Sequence, residues 1–591
     1  MQLLLIVLAA GVALALGYRI YGRLLARLLR LDDSRPTPAV TLRDDRDYVP
    51  IASRFLMSQH FSAIAAAGPI VGPILAGVYF GWVPALLWIV IGSIFIGGVH
   101  DITALVASIR HRARSIAQVV REHMSHRCYV LFLIFIWVAL VYIIVAFTDM
   151  VASSFVGTKT LEDGSVITGG ATATSSLLYL ALPVIMGLLL RYTKLSLNLA
   201  TVIFLPLVGL AIWVGPMMPF DLAKLLNISD ASAVRVWDAA LLVYCLVAAG
   251  LPMWLLLQPR GHLGGFFLYI ALGGMMLGLI VGSITSLLTG DATILPVAYP
   301  AFTQWTHEKG GSLAPMLFIT IACGACSGFH CLIASGTTSK QICRESDARV
   351  IGYGAMLLEG LVATASLACV IMLSSSAVAG KNPDLIYALG NARLMGSLGI
   401  PQAFAVSFAL LAFTTFVYDT LDVCSRLGRY VIQELTGWEG AAGKWIGTAA
   451  TALVPLFFVT MKMTDAAGNP IAAWRVFWPL FGASNQLLAA LSLIGVTVWL
   501  HRTRRQRWVW FVVGLPAAFM YITSSWALLT MIFRGFVTFD GSMASLPTDP
   551  VPYAASLLIA LAALLGLEAI RTFISPPPAD SPPPAEPVPA G

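Results

Sequence analysis

About fifteen apolar runs, each close to the roughly 20 residues a helix needs to cross a bilayer, take up most of this chain. They fall near residues 2-23, 60-80, 83-109, 128-150, 174-190, 197-215, 237-257, 264-288, 313-336, 350-376, 402-423, 443-461, 474-500, 508-533 and 551-573. With 58% hydrophobic and 11% charged residues and a mean hydropathy of +0.84, apolar surface is too abundant for one water-facing shell to cover. The fold class expected is an all-α polytopic membrane protein. The first run has no basic leader and is followed by Arg19, Arg23, Arg27 and Arg30, the reverse of a cleavable signal, so it is expected to remain as a helix.

Lys and Arg set an orientation. With the N-terminus outside, the ends after spans one, three, five and so on collect about 27 of the 36 basic residues and leave about 9 for the other side. Arg110, Arg112 and Arg114, then Arg191 and Lys194, then Arg502, Arg504, Arg505 and Arg507 all fall on the favoured side. That places the N-terminus outside and the C-terminus in the cytoplasm. The net charge of +7 then reports topology; short juxtamembrane clusters without stacking aromatics on a soluble domain are no nucleic-acid footprint.

Two spans carry helix breakers. Span two has Gly68-Pro69 and Gly72-Pro73 at its middle, and span seven breaks at Gly250-Leu251-Pro252. Five crossings apart, the two must run in opposite directions. Mid-membrane breaks expose backbone to a ligand, with half-helix N-termini attracting anions and freed carbonyls attracting cations, so the pattern predicts a secondary transporter built as a 5+5 inverted repeat. The repeats are expected over 60-215 and 237-436, with 1-59 as an N-terminal helix and basic loop, 443-573 as added helices and 575-591 as an extended, disordered Pro-rich tail. Gly68, Pro69, Gly72, Pro73, Gly250 and Pro252 are the substrate-binding candidates. The structural alternative is that proline kinks are common in membrane helices.

Several motifs carry a family resemblance. His60-Phe61-Ser62-Ala63-Ile64-Ala65-Ala66-Ala67-Gly68-Pro69-Ile70-Val71-Gly72-Pro73, Val99-His100-Asp101, and Ser327-Gly328-Phe329-His330 running into Ser335-Gly336-Thr337-Thr338 resemble the carbon starvation protein A (CstA) family. Glu345-Ser346-Asp347-Ala348-Arg349, Tyr418-Asp419-Thr420-Leu421-Asp422, Arg426-Leu427-Gly428-Arg429-Tyr430 and Trp478-Pro479-Leu480-Phe481-Gly482-Ala483-Ser484-Asn485-Gln486 extend the match over about residues 46 to 500. The resemblance implies a LeuT-like architecture and a bacterial inner-membrane transporter that takes up pyruvate or peptides during nutrient limitation, coupled to protons. It also implies that span nine packs on the broken span two and offers Ser327, Ser335, Thr337 and Thr338 to a cation. Gln59, Cys331, Ala334 and Ser339 stand where the family has histidine, serine, serine and proline.

Ionisable residues inside the spans are costly, on the order of 3 kcal/mol or more at mid-bilayer, and need a partner or a task. His100 and Asp101 in span three are candidates to carry a coupling proton; the alternative is that Asp101 pairs with an arginine of the basic loop. Glu359 in span ten, with no basic residue in its own span, must face the protein interior or stay protonated. Asp419, Asp422 and Arg426 share one face of span eleven and read as a salt-bridge cluster or an inner gate. Cys323, Cys326 and His330 share a face of span nine, yet no fourth ligand is evident and no metal site is expected. The small residues, Asn485 and Gln486 of span thirteen read as a packing motif.

The function expected is alternating-access import of a small carboxylate such as pyruvate by proton symport, in response to carbon starvation. A short peptide also presents a carboxylate, and sodium is the alternative coupling ion. No enzyme activity, cofactor or nucleic-acid partner is expected; the partners are substrate, coupling ion and lipid, and oligomeric state is not read from the sequence.

Overall fold

A computed structural model describes residues 1–575 except 45–47, 66, 161–163, 165, 309–310, 439, 462, 464–470, 505 and 538–548. The Pro-rich tail from residue 576, Arg505 of the basic cluster and Ala66 of the first breaker motif therefore lie outside the described residues.

Thirteen helices among the described residues are long and apolar enough to span a membrane. Two interrupted segments complete the set. Ser53–Ile64 and Gly68–Phe80 meet at a bend of 46°, and Leu313–Thr320 is separated from Phe329–Gly336 by eight residues without helix, 321–328. Together these make fifteen spans, one for each apolar run in the sequence. The remaining regular structure is minor and includes two short hairpins, Thr158–Thr160 with Val166–Thr168 and Thr306–His307 with Gly311–Ser312, the buried helix Pro383–Gly396 between spans ten and eleven, and short helices such as Ile116–His123.

Burial ranks the spans from centre to edge. The apolar windows of span thirteen (Ala473–Thr503), span eleven (Gln402–Thr436) and span ten (Arg349–Ile371) are 94%, 89% and 83% buried within the protein, whereas span one (Gln2–Leu29) is 28% buried and span fifteen (Val551–Ile574) 33%. Leu5, Leu8, Val12, Leu16 and Ile20 of span one point outward, as lipid-facing side chains do. The buried polar residues of spans ten, eleven and thirteen accordingly face protein, not lipid.

The first break is where the sequence puts it. Ala65 (φ −78°, ψ 60°) ends the first half-helix, and the second restarts at Gly68 with Pro69 in its first turn, where a missing N–H costs nothing. Pro73 lies inside the second half-helix.

The second break is not at Gly250-Leu251-Pro252. Span seven is one uninterrupted helix, Asp230–Gly250, capped at its start by Ser229, whose hydroxyl accepts the Ser232 N–H. Its true start lies upstream of the apolar run, so the Gly-Leu-Pro sequence falls at its end. Proline forces Leu251 into extended backbone (φ −73°, ψ 153°) and stops the helix there. Six residues later span eight, Leu257–Thr289, begins. The interruption that faces span two is instead in span nine, where Gly324 takes φ +89°, a conformation that glycine adopts without a Cβ penalty. The repeat division that places a break at residue 250 moves with it.

Candidate functional site

The two interruptions pack against each other. A Cβ on Gly68 would lie 2.3 Å from the Cys323 Cβ, one on Gly72 would lie 2.6 Å from the Thr320 carbonyl oxygen, and Gly324 sits against Pro69. Glycine is required at these positions because a Cβ would meet the Cys323 side chain at Gly68 and main chain at Gly72, and because Gly324 takes a positive φ.

Breaking a helix inside a membrane leaves N–H and C=O groups without partners, and span thirteen supplies them. Asn485 accepts the Phe329 N–H through Oδ1 (2.9 Å), accepts the Gly328 N–H through its main-chain carbonyl (3.1 Å) and donates to Ser327 Oγ (3.0 Å). Gln486 donates through Nε2 to the carbonyls of Phe318 (3.0 Å), Ala322 (3.3 Å) and Ile321 (3.4 Å). Trp88 Nε1 adds a second bond to Ile321 O at 3.3 Å. One residue caps the start of the second half-helix and its neighbour caps the end of the first. Asn485→Ala removes the two shorter side-chain bonds, to Phe329 N–H and Ser327 Oγ, at about 1 kcal/mol each, together with longer contacts to Ser327 and Cys323. A loss of roughly 2 kcal/mol should appear as a lower thermal midpoint of the detergent-solubilised protein.

Beside the break runs a chain of ionisable groups drawn from three spans. His100 Nδ1 is 2.8 Å from Asp101 Oδ1, Asp101 Oδ2 is 2.7 Å from His330 Nδ1, and His330 Nε2 is 3.2 Å from Glu359 Oε2. The other Glu359 oxygen accepts the Gly324 N–H at 3.1 Å, tying the chain to the unwound backbone. All four side chains are at most 1% exposed. No arginine pairs with Asp101 among the described residues, contrary to the alternative raised from sequence; two imidazoles do. Glu359 faces the interior, as its isolation in span ten requires. His330 enters the sequence reading only within a family motif and beside the cysteines, with no proton role, yet it is the residue that joins spans three, nine and ten.

Cys323 Sγ, His330 Nε2 and a Glu359 oxygen lie within 4.8 Å of one another, as do His111, Glu122 and His123 on the arginine-rich side. The ion pairs above account for the first group. In the second, Arg114 holds Glu122 (2.7 Å) and the two imidazoles bond each other (2.8 Å). The other cysteines of span nine go elsewhere: Cys331 Sγ is 3.0 Å from Ser492 Oγ. The hydroxyls proposed for a cation do not converge. Ser335 donates to Cys331 O (2.7 Å), Thr337 to Ile333 O (3.0 Å), and Thr338 Oγ1 is 2.8 Å from His60 Nδ1.

A cavity opens on the side from which span two enters, lined by Gln59, His60, Gly261, Thr337, Thr338 and Asp419 among others. Behind the Asp419 of its wall lies Arg260, 1% exposed. Its Nε is 2.8 Å from Asp419 Oδ1, and its Nη1 bonds Asp422 Oδ2 and Tyr244 OH. Asp419 Oδ2 also accepts from Ser62, and Asp422 Oδ2 from Tyr244 at 2.9 Å. The cation that Asp419 and Asp422 hold is therefore Arg260 and not Arg426. Arg426, with Arg429 and Lys444, covers the carbonyls that end span seven: Leu251 O at 2.7 Å, Ala249 O at 2.8 Å and Gly250 O at 2.8 Å. Gly250 and Pro252 thus belong to a helix terminus neutralised by cations, outside the cavity. Gln258-Pro259-Arg260-Gly261-His262 falls between two of the apolar runs in sequence; in the fold it lies in the first turns of span eight.

Fifteen membrane spans, two of them interrupted and packed together around buried ionisable groups, define a polytopic helical membrane protein with an internal polar centre. The chain belongs to the carbon starvation protein CstA family, which it matches over residues 2–383 and 374–527. It is 31% identical over 584 residues to the peptide transporter CstA of Bacillus subtilis, covering 90% of this chain and 91% of that one. The pyruvate/proton symporter BtsT of Escherichia coli is 29% identical over 623 residues, covering 89% and 81%. Among solved structures, MhsT in complex with L-phenylalanine aligns with a TM-score of 0.47 at 14% identity, covering 80% of this chain and 97% of that one.

Proposed function

We propose that the protein is a secondary active transporter that imports a small carboxylate such as pyruvate together with protons. The observation that carries this reading is the unbroken contact from His100 through Asp101 and His330 to Glu359, ending on the unwound backbone at Gly324. Buried ionisable side chains in a membrane core are the usual means of moving protons, because each can pass from charged to neutral. His60, an electrostatic neighbour of Asp101 and His330, lines the cavity, so the chain and the substrate space adjoin. A proton is favoured over sodium because the Ser327, Ser335 and Thr337 hydroxyls are each engaged locally and form no oxygen cage.

Alternating access would be carried by two repeats. One comprises spans two, three, four, seven and eight, the other spans nine to thirteen, with spans five and six inserted in the first. Each set opens with an interrupted span; the fourth members have 21 and 20 residues and the fifth 33 and 32. Spans two and nine are an odd number of crossings apart and run in opposite directions, as an inverted repeat demands. The arginine-rich side is assigned to the cytoplasm of a bacterial inner membrane, with the N-terminus outside.

A short peptide is the second reading, favoured by the relatives named as peptide transporters. Labelled pyruvate and alanyl-alanine offered to proteoliposomes under imposed proton or sodium gradients decide the matter. Accumulation of pyruvate driven by protons alone is the expected result. Accumulation of the dipeptide only would replace the substrate, and drive by sodium only would replace the ion.

A further inference from the structure

Among the described residues, Arg260 is the one guanidinium in the set of largest completely enclosed side chains. An arginine in a membrane core is kept only where it is paired or used. Here it faces two carboxylates, so the cluster of Arg260, Asp419 and Asp422 carries a formal charge of −1. Its other neighbours add none: Tyr244 and Ser62 are hydrogen-bonded to the acids, Tyr418 lies with its ring centroid 5.1 Å from the guanidinium, and Tyr179 and Cys245 complete the surround. Arg426, one turn along span eleven, acts on Asp422 but is held by the Leu251 and Ala248 carbonyls. Several polar atoms of the cluster have no hydrogen-bond partner, Tyr179 OH and Asp422 Oδ1 among them. Arg260 Nη2 has no hydrogen-bond partner, and neither does His60 Nε2, which belongs to a residue of the cavity wall.

We propose that Arg260 receives the substrate carboxylate in exchange for Asp419, and that Asp419 takes a proton as it lets go. This rests on the reading of the protein as a carboxylate transporter. Asp419 stands between the cavity and Arg260, and its Oδ2 is already anchored to Ser62, so releasing Oδ1 from Arg260 Nε needs only a small rotation. The incoming carboxylate brings one negative charge and the proton one positive charge. The cluster stays at −1 throughout. In a low-dielectric site, adding the anion without the proton would place three carboxylates around one guanidinium, which the surroundings oppose strongly. Electroneutral exchange therefore makes one proton obligatory for each carboxylate, without any direct contact between proton and substrate.

The test uses the full-length protein in proteoliposomes with pyruvate and, in a second arm, alanyl-alanine as probes. In the wild type, half-saturation for counterflow should rise about tenfold per pH unit above the range in which Asp419 takes its proton, the slope of one linked proton. Asp419→Asn imitates the protonated acid. Whatever counterflow it retains should lack that pH slope, and it should no longer accumulate substrate under an imposed pH gradient. Arg260→Gln should lose counterflow at least 100-fold. Because that change strands two buried acids, Arg260→Gln/Asp422→Asn, which preserves the charge of −1, is made beside it and should show the same loss. A wild type with pH-independent half-saturation, an Asp419→Asn protein that retains the slope, or normal counterflow in the charge-preserving double variant would each overturn the exchange. Absence of movement of either probe by the wild type under any gradient would instead remove the carboxylate-transport reading itself.

Discussion

Replacing His330 with glutamine should abolish proton-driven accumulation, with initial uptake under an inward proton gradient falling by at least 100-fold. His330 forms ion pairs with both Asp101 and Glu359, and these stand on different spans. An amide can replace the hydrogen bonds in part but cannot hold a travelling proton. Two buried carboxylates then face a neutral group, and stranding buried charge in this way costs about 3–5 kcal/mol where the acids do not protonate instead. Glu359→Gln in the same background should recover part of the lost thermal stability and none of the proton drive. If His330→Gln accumulates substrate at the normal rate under a proton gradient, the chain is structural and the proton moves by another route.

The second large effect concerns the contact between the interruptions. Gly68→Leu should yield no folded protein in the membrane, because even its Cβ would fall 2.3 Å from the Cys323 Cβ and 2.5 Å from its sulfur. Gly72→Leu meets the Thr320 carbonyl oxygen at 2.6 Å and should fare no better. Neither variant separates folding from binding. Gly250→Ala is the contrast: its nearest neighbour is the tip of the Trp445 ring at 3.2 Å, which can yield. Near-wild-type expression, thermal midpoint and uptake are expected for it. A Gly250→Ala protein that folds normally but fails to transport would restore a binding role to that turn.

Why the breaks at 65–67 and 321–328 differ in legibility is a matter of proline chemistry. Span two announces its interruption because Gly68-Pro69 is a helix-start signal set inside an apolar run. Span nine is interrupted without a proline. Ala322-Cys323-Gly324-Ala325-Cys326-Ser327-Gly328 reads as a stretch of small packing residues, and its unwinding depends on Asn485 and Gln486, more than 150 residues away, to satisfy its freed backbone groups. At Gly250-Leu251-Pro252 the same breaker chemistry is present but sits at a helix end, because Ser229 starts that helix earlier than its apolar run suggests. A proline marks where a helix cannot continue; it does not say whether that point lies at mid-membrane or at the surface.

The number of spans, the helical class and the candidacy of His100, Asp101, Glu359, Asp419 and Asp422 were set by the sequence alone, since hydropathy counts helices and a carboxylate or imidazole within an apolar run has to find a partner whatever the fold. Which partner it finds is a tertiary matter. Helices adjacent in space are far apart in the chain, so the pairing of Asp101 with His330 across 229 positions and of Arg260 with Asp422 across 162 leaves no local trace. Asp422 and Arg426 are four residues apart on one helix, and local spacing favours their pairing. Packing decides otherwise: the bare carbonyls ending span seven draw Arg426 away, and the buried start of span eight brings Arg260 to the acids instead.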